Sequence, residues 1–274
     1  MPFQLPLTNL QNVAPGNTAT LRVPVGPNSP TYDQIKLVLS GGMLASHILS
    51  VRGKANGRIF LDEGSGTVLQ SRDAYRGITT EAGFVVIDFT EPNARNGAAE
   101  QLLASVPGNL LQDLMFEIRI DAAAPGNGKI QAVAIYRPPT SNPYIRKLLS
   151  TAISFAAAGT DAAPCIMYLP VGDAGGKIKR IWLQESVDNV LTGLQVRIAN
   201  NVVHEALIGA IENDAKRNKL VPQASWVVLD FISDGNLAGM LDTSAAPVVE
   251  LRLQTSAAAS FTVYYEMVDP IGRV

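Results

Sequence analysis

The chain has 274 residues, of which 47% are hydrophobic and 17% charged, and its formal net charge is −2. That length holds one large domain or two of ordinary size, and the charge supplies none of the electropositive field on which nucleic-acid binding draws. A single cysteine, Cys165, excludes an intrachain disulfide and a multi-thiolate metal site, and its apolar run CIMYL marks it as a buried, inert thiol.

The opening MPFQLPLTNL lacks the basic start and long apolar core of a secretory leader, and no window approaches the roughly 18 apolar residues of a membrane span. Thr18–Val25 is rich in β-formers and stops at a Gly-Pro-Asn-Ser-Pro loop, Gly26–Pro30. Gln34–Leu39 is the next strand and halts at Gly41-Gly42. Ile48–Arg52 and Arg58–Leu61 flank Asn56-Gly57, a hairpin signal. Thr67–Tyr75 and Ala98–Ala104 read as short helices, with the strand Phe84–Phe89 between them. Leu114–Ile120 and Lys129–Tyr136 read as a final pair around the loop Ala124–Gly128. Three prolines within Arg137–Pro143 then block both helix and ladder, giving a stiff linker. Beyond it come Tyr144–Ala158, then strands at Pro164–Val171, Lys177–Gln184 and Gly193–Ile198. Val203–Lys219 has apolar residues at helical spacing. The strands Trp226–Phe231, Val248–Leu253 and Phe261–Met267 close the chain.

The two halves echo one another. LRVPVG at Leu21–Gly26 returns as MYLPVG at Met167–Gly172, pairing Pro24 with Pro170 and Gly26 with Gly172. QIKLVL (Gln34–Leu39) matches KIKRIWL (Lys177–Leu183), and Ser50–Arg52 matches Gln195–Arg197. FVVIDF matches WVVLDF, pairing Asp88 with Asp230, and FEIRID matches VELRLQ, pairing Arg119 with Arg252. Each half closes on one more strand. Strand-like strings match easily one at a time, but an ordered series running through both halves reports an internal duplication. Short strands at this spacing make each half a β-sandwich or barrel of about 130 residues. Asp88 and Asp230, which interrupt apolar runs, invite a reading as metal ligands or acids, but read rather as edge or turn-proximal carboxylates bonded to backbone N–H groups.

The stretch Leu7–Gly42, with Asn12–Asn17, Leu21–Gly26 and Thr31–Ile35 carrying the match, resembles the N-terminus of double jelly-roll major capsid proteins. These come from tailless, membrane-containing icosahedral bacteriophages, the corticovirus group above all. Leu169–Ser186, Val203–Lys219 and Tyr264–Met267 extend the resemblance over nearly the whole chain. It implies an all-β fold of two tandem jelly rolls, residues 1–137 and 144–274, joined by the linker 138–143. It further implies a homotrimer forming a pseudo-hexameric capsomer in a virion shell. The implied partners are neighbouring capsomers, vertex (penton) and minor capsid proteins, and an internal viral membrane at the capsomer base. Synthesis in the cytoplasm of a bacterial host follows from the same resemblance, with no sequence-specific nucleic-acid binding. On this reading MPFQLPLTNL and the basic YIRKLL (Tyr144–Leu149) read first as ordinary interface strands, with a place at the base, near lipid or an adjoining capsomer, as the alternative.

Residues for catalysis are scarce. The two histidines, His47 and His204, fall at unrelated places in the repeat, and no G-x-S-x-G elbow is present. His204-Glu205 is followed by Ala-Leu-Ile, which is no zinc motif, and Gly172–Lys177 has the wrong spacing for a phosphate loop. Asp234-Gly-Asn236 is a candidate for a structural divalent cation but lacks the spacing of a known calcium loop. No catalytic, cofactor or metal residue is therefore assigned. The alternative is a duplicated carbohydrate-binding or carbohydrate-active β-sandwich, which needs groove aromatics and paired carboxylates in a chain with only 6% aromatics. A two-domain cupin needs more histidines than the chain has.

Overall fold

The computed structural model describes residues 3–8 and 10–273, the side chains of residues 98 and 99 excepted; Met1, Pro2 and Asn9 of the opening segment lie outside it. Eight principal strands make up the first half: β1 (Phe3–Leu7), β2 (Thr18–Arg22), β3 (Thr31–Ser40), β4 (Ile48–Ala55), β5 (Arg58–Gly64), β6 (Phe84–Asp88), β7 (Leu114–Ile120) and β8 (Lys129–Arg137). Eight more make up the second: β9 (Tyr144–Phe155), β10 (Cys165–Tyr168), β11 (Lys177–Glu185), β12 (Leu191–Ile198), β13 (Asn201–Leu207), β14 (Trp226–Asp230), β15 (Val249–Thr255) and β16 (Ala259–Pro270). Helix α1 (Gly66–Tyr75) follows β5, and helix α2 (Ile208–Arg217) follows β13.

Compactness divides the chain into two units. The first comprises residues up to Ala74, Ile78–Leu149 and those from Asp269 on; the second comprises Tyr75–Gly77 and Ser150–Val268. In the first, one sheet runs β1-β8-β3-β6 and the other β2-β7-β4-β5, with neighbours antiparallel. Pairing first strand with last, second with seventh, third with sixth and fourth with fifth is the jelly-roll topology. The second half repeats it as β9-β16-β11-β14 and β10-β15-β12-β13. The fold is all-β, a double jelly roll.

Within each jelly roll the core lies between the sheets, on alternate residues of each strand. Ile35, Leu37, Phe116, Ile118, Val85 and Ile87 fill the first; Ile181, Leu183, Leu251, Leu253, Val196 and Val263 fill the second. Asn56 and Gly57 both take positive φ in the β4–β5 turn, as the Asn-Gly signal predicts.

Three expectations change. Leu114–Ile120 and Lys129–Arg137 are consecutive but unpaired, because the chain crosses from one sheet to the other between them. Val203–Lys219 is not one helix: the strand β13 ends at Leu207 and the helix begins at Ile208. Its β-branched opening pairs with β12, and only the rest curls. The match of β3 to β11 also moves. Gln34 stands opposite Asp88 and Arg180 opposite Asp230, so Gln34-Ile-Lys-Leu superposes on Arg180-Ile-Trp-Leu, three residues past the KIK lookalike. An odd slip would put the wrong face inward, so the ladder decides between two similar strings.

Candidate functional site

The Pro-Val-Gly repeats follow β2 and β10, the second strand of each half. After β2, the hydroxyl of fully buried Tyr32 donates to the Pro24 carbonyl, and burial pushes that phenol up to about 12. Gly26 N–H donates to Gly108 O at 3.1 Å, with Gly26 at φ +141°, a backbone open only to glycine. After β10, Gly172 turns at φ +61° and opens a single-turn 3₁₀ helix, Gly172–Ala174, whose carbonyl takes the Gly175 N–H. The two turns share a place in the fold and differ in geometry.

Asp88 and Asp230 end β6 and β14. Asp88 accepts the Thr90 N–H at 2.9 Å and the Gln34 amide at 3.1 Å; Asp230 accepts the Ile232 N–H at 3.0 Å and Arg180 Nε at 2.7 Å. Each caps the turn that leaves its strand and ties back to the neighbouring strand. Arg119 and Arg252 occupy the matching rung of β7 and β15, opposite Ser50 and Gln195. Arg119 is exposed, whereas Arg252 pairs with Glu250 at 2.8 Å.

The strongest electrostatics are internal. In the first unit, Glu63 has no exposed surface; it takes Arg72 Nη1 at 2.6 Å on one oxygen and Arg146 Nη1 on the other. Asp33 accepts Ser105 Oγ and Arg137 Nε, both at 2.9 Å, and Asp269 holds Lys147 at 3.0 Å. In the second unit, Glu266 accepts Lys179 Nζ at 3.0 Å and the Trp182 indole N–H at 3.1 Å. Burying such charges is tolerable only because each is paired. The signal for them is charge embedded in apolar strands, YIRKLL and KIKRIW. In YIRKLL, Arg146 and Lys147 are buried and committed to Glu63 and Asp269, so they are not presented to lipid headgroups.

None of these clusters surrounds a reaction centre. A cavity of about 340 Å³ in the first unit is lined by Gln34, Lys36, Asp73, Thr80, Glu81 and Asp88, with Asp73 and Asp88 already hydrogen-bonded by Thr80 and Gln34. In the second unit, His204 lines a cavity of about 120 Å³, its ring 6.1 Å from that of Phe231, and burial holds its pKa below the ordinary 6.5. His47 instead accepts the Leu44 N–H at the surface. Cys165 is buried beside Thr255. Asp234 accepts the Asn236 N–H within its own turn, and among the described residues no three His, Cys, Asp or Glu side chains gather as a metal site.

Models of the viral coat protein P2 match most of the chain, the N-terminal domain over residues 4–137 and the C-terminal domain over 145–271. The chain belongs to the viral coat protein P2 family. This coat protein is thus a component of a virion capsid, of a structural rather than an enzymatic family. Its fold is similar to that of the major capsid protein P2 from bacteriophage PM2, with a TM-score of 0.84 at 20% identity over 99% of both chains. The STIV major capsid protein follows with a TM-score of 0.70 at 14% identity, over 97% of this chain and 96% of that one. The PBCV-1 capsid protein gives 0.64 at 11%, over 98% and 93%. No curated protein sequence matches.

Proposed function

We propose that this coat protein is the major capsid protein of an icosahedral phage with an internal membrane, and that three copies form a pseudo-hexameric capsomer. The observation that supports this reading most directly is the duplication itself: eight strands in one pairing scheme, written twice. Three such chains around a threefold axis present six similar walls, which tile a closed shell through repeated heterologous contacts. On this reading residues 1–137 and 144–274 are the two jelly rolls and 138–143 the linker. That linker is held to the first unit through Thr140–Thr31 at 3.0 Å and Asn142 to the Leu103 carbonyl. The capsomer's partners are other capsomers, vertex and minor capsid proteins, and the lipid at its base. Negative-stain imaging of the purified chain tests the reading: a hexagonal outline with threefold modulation supports it. A scatter of single-chain particles at every concentration rejects it.

A further inference from the structure

The duplicated fold builds one strand–helix segment twice, and the two copies differ in what covers them. In the first half, β5 leads into α1, and Phe60, Leu61, Glu63, Val68, Leu69 and Arg72 are all buried. Within the first unit the cover is the opening of β9. Leu148 pairs in parallel with Leu61, and Arg146 meets Arg72 on the Glu63 carboxylate. Ile145 and Leu148 are fully buried there.

In the second half, β13 leads into α2 at the same topological place, on the outer edge of its sheet. Among the described residues no strand pairs with its free side, and Val202, Val203 and Leu207 are 47%, 48% and 67% exposed. The counterpart of β9 is β1, since each is the first strand of its half and lies beside the last. Here too the edge is open, with Phe3 53% and Leu5 36% exposed, whereas Ile145 and Leu148 of β9 are covered. The β13 edge, Asn201-Val-Val-His-Glu-Ala-Leu207, carries neither proline nor lysine and exposes Val202, Val203 and Leu207, so its ladder is a template for another strand, to which β1 brings one donor fewer at Pro6. The chain thus displays, uncovered, both sides of a contact that it makes once internally.

We propose that β1 of one copy lies parallel along β13 and against α2 of a second copy, repeating between chains the contact that Tyr144–Leu149 makes with β5 and α1. The proposal rests on the capsomer reading and names the surfaces that join its copies. Such a contact is head-to-tail, so each chain gives one side and takes the other, and a ring closes when the rotation permits.

Two kinds of variant test it. A chain carrying both Leu5→Cys and Val203→Cys, mildly oxidised, is expected to give covalent multimers that collapse on reduction, while neither single variant goes beyond a dimer. Val203→Asp and Leu207→Asp, at positions exposed in the single chain, are expected to weaken assembly about tenfold or more by sedimentation while leaving the circular dichroism of the chain unchanged. An oligomer that forms normally in both aspartate variants, with no cross-link in the cysteine pair, overturns this contact and leaves self-assembly standing. A chain that stays monomeric without any substitution overturns the capsomer reading, and the contact with it.

Discussion

Asp88 and Asp230 occupy one position in two copies of a fold, yet they hold different partners: Asp88 meets the neutral Gln34, and Asp230 meets Arg180, whose side chain is 1% exposed. Removing each charge therefore has unequal consequences. Asp230→Asn leaves a guanidinium buried with one partner fewer and is expected to cost about 3–5 kcal/mol. Asp88→Asn keeps the capping oxygen and costs about 1 kcal/mol. Chemical denaturation of the two variants side by side reads the difference.

Glu63 joins a helix to a strand through two arginines, with no water-exposed surface of its own. Glu63→Gln removes the carboxylate charge that two buried arginines share and is expected to lose about 3–5 kcal/mol. Replacing Glu63, Arg72 and Arg146 together by leucine or methionine is expected to recover part of that loss, because the three charges and their desolvation are removed together. A triple variant as unstable as the single one would show that packing, not charge, dominates there.

The β12–β13 hairpin turns on Ala199 and Asn200, both at positive φ, +47° and +71°. Two-residue hairpin turns of this kind favour Asn or Gly, and alanine pays a steric penalty in them. Ala199→Gly or Ala199→Asn is expected to raise stability by about 0.5–1 kcal/mol, visible as a higher melting temperature. The same substitution scanned at Ala206, inside β13, should bring no gain.

His204 Nε2 is buried without a hydrogen-bond partner, in a cavity that Tyr75, Asp214 and Asp230 also line. Burial depresses its pKa from 6.5. The folded state therefore resists the proton that the unfolded chain accepts. Its contribution is fully present above pH 6.5 and is lost as pH falls through the depressed folded value. Melting curves taken from neutrality down to about pH 5 should fall less steeply for His204→Phe than for the unmodified chain.

Much of the fold was legible in the sequence because turn chemistry and β-former runs are local. Gly26–Pro30, Asn56-Gly57 and the repeated FVVIDF and WVVLDF mark strands and their ends without tertiary help. What was not legible depends on partners distant in the chain. The QIK–KIK alignment failed because short strand strings resemble one another, and only the rungs Gln34–Asp88 and Arg180–Asp230 set the register. Val203–Leu207 carries helical spacing, yet its β12 neighbours hold it as a strand. Arg146 and Lys147 look like surface charge until Glu63 and Asp269 arrive from 83 and 122 residues away.

The proposed capsomer makes the duplicated chain one-third of a six-walled block, and the mass in solution decides between that block and a single chain. Multi-angle light scattering over a dilution series is expected to return three times the chain mass, stable down to low micromolar concentration. A constant single-chain mass across the same series would contradict it.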